Sequence, residues 1–254
     1  MAITSEIGVQ LYRRYQLESE LLHWEQRENC LREELPNRKY EKREAEAAVL
    51  AYESGVRKFL DKLTGKWEEK QEHLRQKVSG AQAAFTLTQE DLKVVAEKKQ
   101  ELLSQLEPLR QLGDVVEAVQ EAAPQERELL LLLEARLRAK GLLCSLEKGL
   151  EALTNAQEWA RPHNRLEAVP GMQKSVYLSE ADRYAEESRI QLERIAQCGI
   201  LLDIHPYFTN PAGYICGVAA EYAQLDRINR ALDAIRDTLR QAKELLVQLP
   251  EEDE

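Results

Sequence analysis

The sequence lacks the motifs that mark common enzyme classes. It has no GxxxxGK[ST] or GxGxxG phosphate-binding loop, no HExxH zinc motif and no GxSxG nucleophile motif. Its four cysteines form no CxxC pair and fit neither a disulfide framework nor a zinc motif. We therefore expect buried free thiols in a reducing, cytoplasmic setting. We also expect no cofactor, no metal and no small-molecule substrate.

Long apolar runs and excess positive charge are also missing. No apolar run approaches the roughly 20 residues that a membrane-spanning helix needs. The first residues lack an apolar segment preceded by basic residues, so we do not expect a signal peptide. The net charge of −10 argues against general nucleic-acid binding, which requires clustered cations.

A 3.5-residue apolar period runs through the first half of the chain. Positions alternate four and three apart from Leu17 to Leu63, and a second series runs from Trp67 to Gly113. This period is typical of helices that pack knobs into holes. The register slips by one residue at Thr64-Gly65-Lys66, where a glycine suits the left-handed end of a helix. Residues 1–113 therefore predict a long antiparallel coiled-coil helical hairpin, in which residue i faces residue 130 minus i.

The two apolar series form the predicted seam between the helices, and two polar positions of this seam are predicted to meet. The pairing rule places Glu28 and Lys99 in adjacent layers, where an ion pair would fix the register of the two helices. In the alternative interpretation, both side chains extend to water at the edge of the seam. Pro36 interrupts the first arm, but the seam keeps its phase across it. We therefore expect a kink at Pro36 and not a helix end.

Residues 114–254 predict a C-terminal helical bundle segment. Asp114 suits a helix N-cap and Pro124 the first turn of a long helix, while Ser179 and Asp182 resemble a capping box. A linker is expected at about 161–178, around Pro170. The expected helices lie at about 114–123, 124–160, 180–202 and 212–249.

One polar cluster in the C-terminal part has the composition of a catalytic site. It contains Asp203, His205 and Tyr207, and a carboxylate beside an imidazole can orient it as a base. In the alternative interpretation, which we favour, these residues only form a turn between two helices. We therefore expect a protein that is not an enzyme.

The hairpin tip, residues 57–67, departs from the composition of a plain coiled coil. It has four basic residues and one acidic residue in a chain that is acidic overall. Such a basic, aromatic tip suits an anionic membrane surface or the groove of a partner protein. In the favoured alternative, the seam residues Phe59, Leu63 and Trp67 only close the end of the seam. The candidate interaction residues are Arg57, Lys58, Phe59, Leu60, Lys62, Leu63, Lys66 and Trp67.

The sequence thus predicts an all-α protein with a non-enzymatic structural or protein-interaction role. We expect protein partners, with self-association first among them, and no nucleic acid. The alternative is a peripheral protein that binds membrane surfaces through the hairpin tip. The layout resembles that of membrane-remodelling helical hairpins such as the phage-shock and BAR-type proteins. This resemblance lies in the architecture, implies a membrane-surface role and assigns no residues.

Overall fold

The computed structural model describes residues 3–160, 170–200 and 218–249, and all regular structure in these ranges is helical. The all-α prediction is confirmed. Short 3-10 helices lie at Glu107–Leu112 and Val119–Glu121. The α-helices in these ranges are α1 (Glu6–Ser54), α2 (Val56–Leu63), α3 (Trp67–Leu106), α4 (Val115–Ala118), α5 (Pro124–Ala160), α6 (Pro170–Gln197) and α7 (Val218–Gln248).

The chain divides into two compact units. One unit is the segment Ser19–Pro108, and the other combines Met1–Glu18 with Leu109–Glu254. The sequence predicts a boundary at 113, with all earlier residues in the hairpin. Helix α1 contributes residues to both units, because its first turns belong with the C-terminal helices.

The unit Ser19–Pro108 contains most of α1, the short α2 and α3, and its two long helices run antiparallel. Arg27 of α1 lies 3.7 Å from Asp91 of α3, and the Lys42 ammonium lies 5.3 Å from the centre of the Phe85 ring. Residues later in α1 therefore meet residues earlier in α3. The predicted hairpin of two long helices is confirmed.

The burial pattern of this helix pair follows the predicted seam over most of its length. Every seam position from Leu21 to Tyr52 in the first arm is buried or half-buried, and so is every one from Trp67 to Leu106 in α3. Helix α1 also passes through Pro36 without ending, as predicted. The apolar period therefore marks the face on which these helices pack.

The prediction of one continuous first arm up to Leu63 is wrong. Helix α1 ends at Ser54, and Gly55 adopts an extended conformation with φ −92° and ψ 157° before α2 begins. Because Gly55 leaves the helical region, the phase of the apolar positions in α1 does not continue into α2. Val56 and Leu63, which the pairing rule placed in the seam, are exposed.

Helix α5 lies between α6 and α7 in the second unit. A Cβ atom on Gly149 would lie 3.0 Å from Cδ1 of Ile235 in α7 and 3.5 Å from Cβ of Tyr184 in α6. The absence of a side chain at this position lets both helices approach α5 closely. Ser145 and Ser188 add a buried hydrogen bond of 2.8 Å between α5 and α6. The leucine-rich face of α5 is therefore buried inside its own bundle.

The end of α7 is held by α5. The Arg136 guanidinium of α5 donates hydrogen bonds to the carbonyl oxygens of Leu246 at 3.3 Å and Leu249 at 2.7 Å. These carbonyls lack partners within the helix, so a cation at this end satisfies them and complements the helix dipole.

Some of the helix boundaries predicted for the C-terminal part agree with the structure, and others differ. Helix α5 spans the predicted range, and the Asp114 carboxylate caps the next helix by accepting a 2.9 Å hydrogen bond from the Val116 N–H. Helix α6, however, begins at Pro170 and not near 180, so the end of the predicted linker is helical. Pro170 occupies the first turn, where its missing N–H costs nothing. Ser179 and Asp182 lie inside α6 and do not form a cap.

The N-terminus of α1 is attached to α5 through Glu126, which is buried. Its carboxylate accepts hydrogen bonds from the Ser5 hydroxyl, from the Thr4 N–H at 2.6 Å and from the Ser5 N–H at 3.1 Å. The Ser5 hydroxyl in turn caps α1 by accepting from the Gly8 N–H at 3.1 Å. These contacts explain why α1 begins at Glu6, before the first predicted seam residue.

Gly8 is the position where this attachment is most sensitive to substitution. A Cβ atom there would lie 2.6 Å from the Ser5 hydroxyl oxygen and also too close to the Glu126 carboxylate. We expect Gly8→Ala to destabilise the protein by about 1–3 kcal/mol in urea denaturation. The matched control is Gly80→Ala in α3, where the added Cβ meets nothing within 4 Å. This control should gain roughly 0.5–1 kcal/mol. Equal effects of the two substitutions would contradict the role of Gly8.

The same attachment predicts an acid-dependent contribution to stability. The hydrogen bonds from the Ser5 hydroxyl and the Thr4 N–H lower the pKa of Glu126 from 4.5 to about 2. A lowered pKa in the folded state stabilises the fold fully above pH 4.5, and this stabilisation is lost as the pH falls towards 2. Stability measured against pH should therefore fall less steeply in this window for Glu126→Gln than for the wild type. Glu128→Gln, at an exposed position of α5, should retain the wild-type slope.

Candidate functional site at the hairpin tip

Helix α2 at the hairpin tip is amphipathic. Val56, Phe59, Leu60 and Leu63 follow the spacing i, i+3, i+4, i+7. At 3.6 residues per turn, these four side chains fall within an arc of about 100°. The described polar residues of the helix, Lys58, Asp61 and Lys62, occupy the remaining arc.

The apolar face of α2 is turned towards solvent. The exposed fractions are 77% for Val56, 62% for Phe59, 54% for Leu60 and 70% for Leu63. Asp61 on the polar side is only half-buried, and it is less exposed than the apolar residues. The favoured expectation that the apolar tip residues close the seam is therefore wrong for Phe59 and Leu63. It fits only the half-buried Trp67.

The turn after α2 is built around Gly65, which has a φ of 71°. The Lys66 N–H donates to the Asp61 carbonyl at 2.9 Å, and the Gly65 N–H donates to the Lys62 carbonyl at 3.4 Å. This pair of bonds is a Schellman motif, in which the left-handed residue is usually glycine. The predicted left-handed helix end at Gly65 is confirmed.

Two side-chain contacts join the polar side of α2 to the rest of the tip. The buried Tyr52 donates its hydroxyl to the Asp61 carboxylate at 3.0 Å. The Lys62 ammonium lies 5.4 Å from the centre of the Trp67 ring, within the range of a cation–π interaction. Both contacts hold the polar side of α2 against the hairpin, and the apolar side is left facing outward.

The charges around the outward face have one dominant sign. Lys58 and Lys62 lie on α2, Lys66 lies in the turn, and Arg57 adds a fourth cation to the sequence of the tip. Long lysine side chains can keep their ammonium groups in water beside an apolar surface. The tip therefore combines an exposed apolar patch with cations at its edge.

The spacing of α2 contained a signal of this arrangement that the seam interpretation missed. Val56, Phe59 and Leu63 also fit the 3.5-residue period, which places them in the predicted seam. Leu60 did not fit the seam, and it completes the amphipathic pattern of a separate short helix. Because Gly55 interrupts the helix, these residues follow the amphipathic pattern of α2 and not the period of the seam.

The structure brings Glu28 and Lys99 together across the hairpin. The Lys99 ammonium lies 2.7 Å from the Glu28 carboxylate, and the side chains are 22% and 16% exposed. Glu28 also pairs with Arg32 at 2.5 Å. The hydrogen bond from Lys99, and next to it the charges of Lys99 and Arg32, keep the pKa of Glu28 below its ordinary value despite the opposing effect of burial.

The remaining chemical candidates of the sequence are the polar cluster at 203–207 and the cysteines. Asp203, His205 and Tyr207 lie outside the described ranges. Burial raises the pKa of the Cys198 thiol to about 11, so it carries a proton at neutral pH and is a poor nucleophile. Cys30 is exposed, which corrects the expectation of a buried thiol there.

The carboxylates near the N-terminal turns of α1 are paired with arginines. Arg138 lies 2.6 Å from Glu134 and 3.6 Å from Glu18, and Arg14 lies 2.9 Å from Glu18. Such a network satisfies buried charge and holds helices together. In the part of the chain that the structure describes, no three His, Cys, Asp or Glu side chains converge to hold a metal ion. No helix there has both the length and the hydropathy needed to cross a bilayer.

The register role of Glu28 and Lys99 can be measured with a double-mutant cycle. We expect Glu28→Ala and Lys99→Ala to show a coupling of about 0.5–1 kcal/mol, because the pair is partly shielded from solvent. The control pair, Lys98 and Glu101, has the same 2.7 Å separation but lies within one helix and is more exposed. It should show a smaller coupling. A coupling of zero between Glu28 and Lys99 would exclude the register role.

Comparison with known proteins provides no family for this chain. No family model, curated protein or solved structure matches it. Inferences about its function therefore rest on its own residues.

Proposed function

We propose that this protein is a non-enzymatic helical protein that binds anionic membrane surfaces peripherally, through the tip of its hairpin. The observation that carries the proposal is the outward apolar face of α2, formed by Val56, Phe59, Leu60 and Leu63. An isolated exposed leucine is ordinary, but four large apolar side chains on one face of a two-turn helix are not.

The size of the apolar face is suited to shallow insertion. Full burial of one such side chain contributes about 1.5–3 kcal/mol, and these four are already partly covered. Transfer of the four into the interface therefore provides on the order of 4–8 kcal/mol before the cost of binding. An eight-residue helix is about 12 Å long, so α2 can lie in the interface and cannot span the bilayer.

The charge of the tip favours an anionic bilayer over a second tip. Each lysine near an anionic bilayer contributes about 1 kcal/mol, whereas two tips would bring like charges together. The hairpin unit as a whole does not oppose the approach strongly, since it has 16 basic and 18 acidic residues from 19 to 108. A bilayer also requires no specific pocket geometry.

Vesicle co-sedimentation tests the proposal. The wild type should bind phosphatidylcholine vesicles that contain about one-third phosphatidylserine, and its affinity should fall as salt rises. Phe59→Ser with Leu63→Ser should weaken binding by about 30-fold or more, because two inserted side chains are lost. Lys58→Gln with Lys62→Gln should weaken binding and reduce the salt dependence.

A matched control distinguishes binding by the tip from nonspecific binding through other exposed apolar residues. Ile190→Ser with Val247→Ser removes two exposed apolar side chains of α6 and α7 that lie outside the tip. This variant should bind vesicles like the wild type. Equal failure of the wild type and the tip variant to bind anionic vesicles would refute the membrane proposal. Specific binding to an acidic protein without vesicle binding would assign the tip to a protein partner.

Self-association is a second candidate function, and the sides of the hairpin favour it. Leu50, Leu87 and Val94 are exposed on α1 and α3, away from the tip. The stretch 78–89 of α3 contains no charged residue, although almost a third of the chain is charged. The proposed partner of the stretch 78–89 is a second copy of the chain. Two identical uncharged stretches can meet without like-charge repulsion.

The mass in solution, measured by light scattering over a range of concentrations, tests self-association. The wild type should form a dimer or larger species, and Leu87→Glu should shift it towards the monomer by placing like charges in the contact. Phe59→Ser with Leu63→Ser should leave the mass unchanged. A wild type that is monomeric at every concentration would rule this candidate out.

A further inference from the structure

We infer that Tyr52 and Asp61 are positioning residues that set the rotation of α2, so that its apolar face points away from the hairpin. The inference rests on the proposed membrane-binding function and names the contact that makes the site competent. Neither residue belongs to the apolar face that would enter the bilayer.

The geometry places this contact behind the apolar face. On the helical wheel, Asp61 lies about 150° from the centre of the arc formed by Val56, Phe59, Leu60 and Leu63. Its carboxylate accepts the 3.0 Å hydrogen bond from the Tyr52 hydroxyl. Tyr52 is itself 7% exposed and is the last buried residue of α1 before the break.

Backbone bonds connect α2 to α1 only at long distances, since the Gly55 N–H donates to the Tyr52 carbonyl at 3.4 Å and the Lys58 N–H donates to the Gly55 carbonyl at 3.3 Å. Side-chain contacts therefore also set the rotation of α2. Gly55 is extended and interrupts the helical hydrogen bonding between α1 and α2. The Schellman turn at Gly65 fixes the end of α2 but is built from local bonds within 60–66. Among the described side chains, the contacts from Tyr52 to Asp61 and from Lys62 to Trp67 tie the polar side of α2 to its surroundings.

Without such ties, the hydrophobic effect favours the opposite rotation. An amphipathic helix in water lowers its free energy by turning its apolar side towards other apolar groups. The hydrogen bond from a neutral hydroxyl to a carboxylate is of the stronger, charge-assisted kind. It opposes this inward rotation and keeps α2 ready to insert.

Tyr52→Phe tests the inference because it removes one hydroxyl and leaves every tip residue in place. The affinity for the phosphatidylserine vesicles described above should fall about fivefold, because a smaller fraction of the protein has its apolar face outward. The dependence of affinity on salt should remain that of the wild type, because no charge has changed. Tyr40→Phe, at an exposed tyrosine of α1, should leave affinity unchanged.

A second test compares two variants of Asp61, the partly exposed partner in the contact, that carry the same charge as each other. Asp61→Asn keeps a carbonyl oxygen that can accept from Tyr52, whereas Asp61→Ala does not. Both remove one negative charge, so any difference between them reports the hydrogen bond. Asp61→Asn should bind the vesicles several-fold more tightly than Asp61→Ala, and urea denaturation should confirm that each variant is folded.

The outcomes distinguish this inference from the function on which it rests. If the wild type does not bind the vesicles, both fail. If the wild type binds and Phe59→Ser with Leu63→Ser does not, the function stands. In that case, equal affinities of Tyr52→Phe and the wild type, together with equal affinities of Asp61→Asn and Asp61→Ala, would overturn the positioning role alone.

Discussion

The interruption of the first arm at Gly55 is the constraint on which the hairpin tip depends. If α1 continued as one helix through this region, Val56, Phe59 and Leu63 would lie on its buried face, in the seam. The extended backbone of Gly55 ends that phase and starts a new helix. The Tyr52–Asp61 hydrogen bond can then hold the polar side of α2 inward. One residue thus converts the end of a packed seam into an exposed amphipathic surface.

Most of the fold could be predicted from the sequence, because periodicity reports which face of a helix is buried. The seam from Leu21 to Tyr52, the left-handed turn at Gly65 and the helix from Pro124 to Ala160 follow from spacing and local signals. The break at Gly55 was less visible, since a single glycine is tolerated in a helix at a cost of about 1 kcal/mol. The outward direction of the apolar face of α2 could not be predicted either, because three of its four residues also fit the period of the seam.

Contacts between residues distant in sequence account for what periodicity did not predict. The beginning of α1 depends on Glu126, which lies far along the chain on α5 and accepts from Thr4 and Ser5. The early start of α6 at Pro170 lies where the sequence suggested a linker. Proline is a strong breaker inside a helix but is favourable in its first turn. Local sequence alone does not distinguish between those two roles.

The central claim is that the apolar face of α2 is the surface by which the protein meets an anionic bilayer. Hydrogen exchange followed by mass spectrometry, with and without phosphatidylserine-containing vesicles, tests it most directly. The account predicts slower exchange on vesicle binding that is concentrated in residues 56–66, with little change in the α5 core. Unchanged exchange at 56–66 under conditions where the protein is vesicle-bound would contradict the claim, because the membrane would then be contacting another part of the molecule.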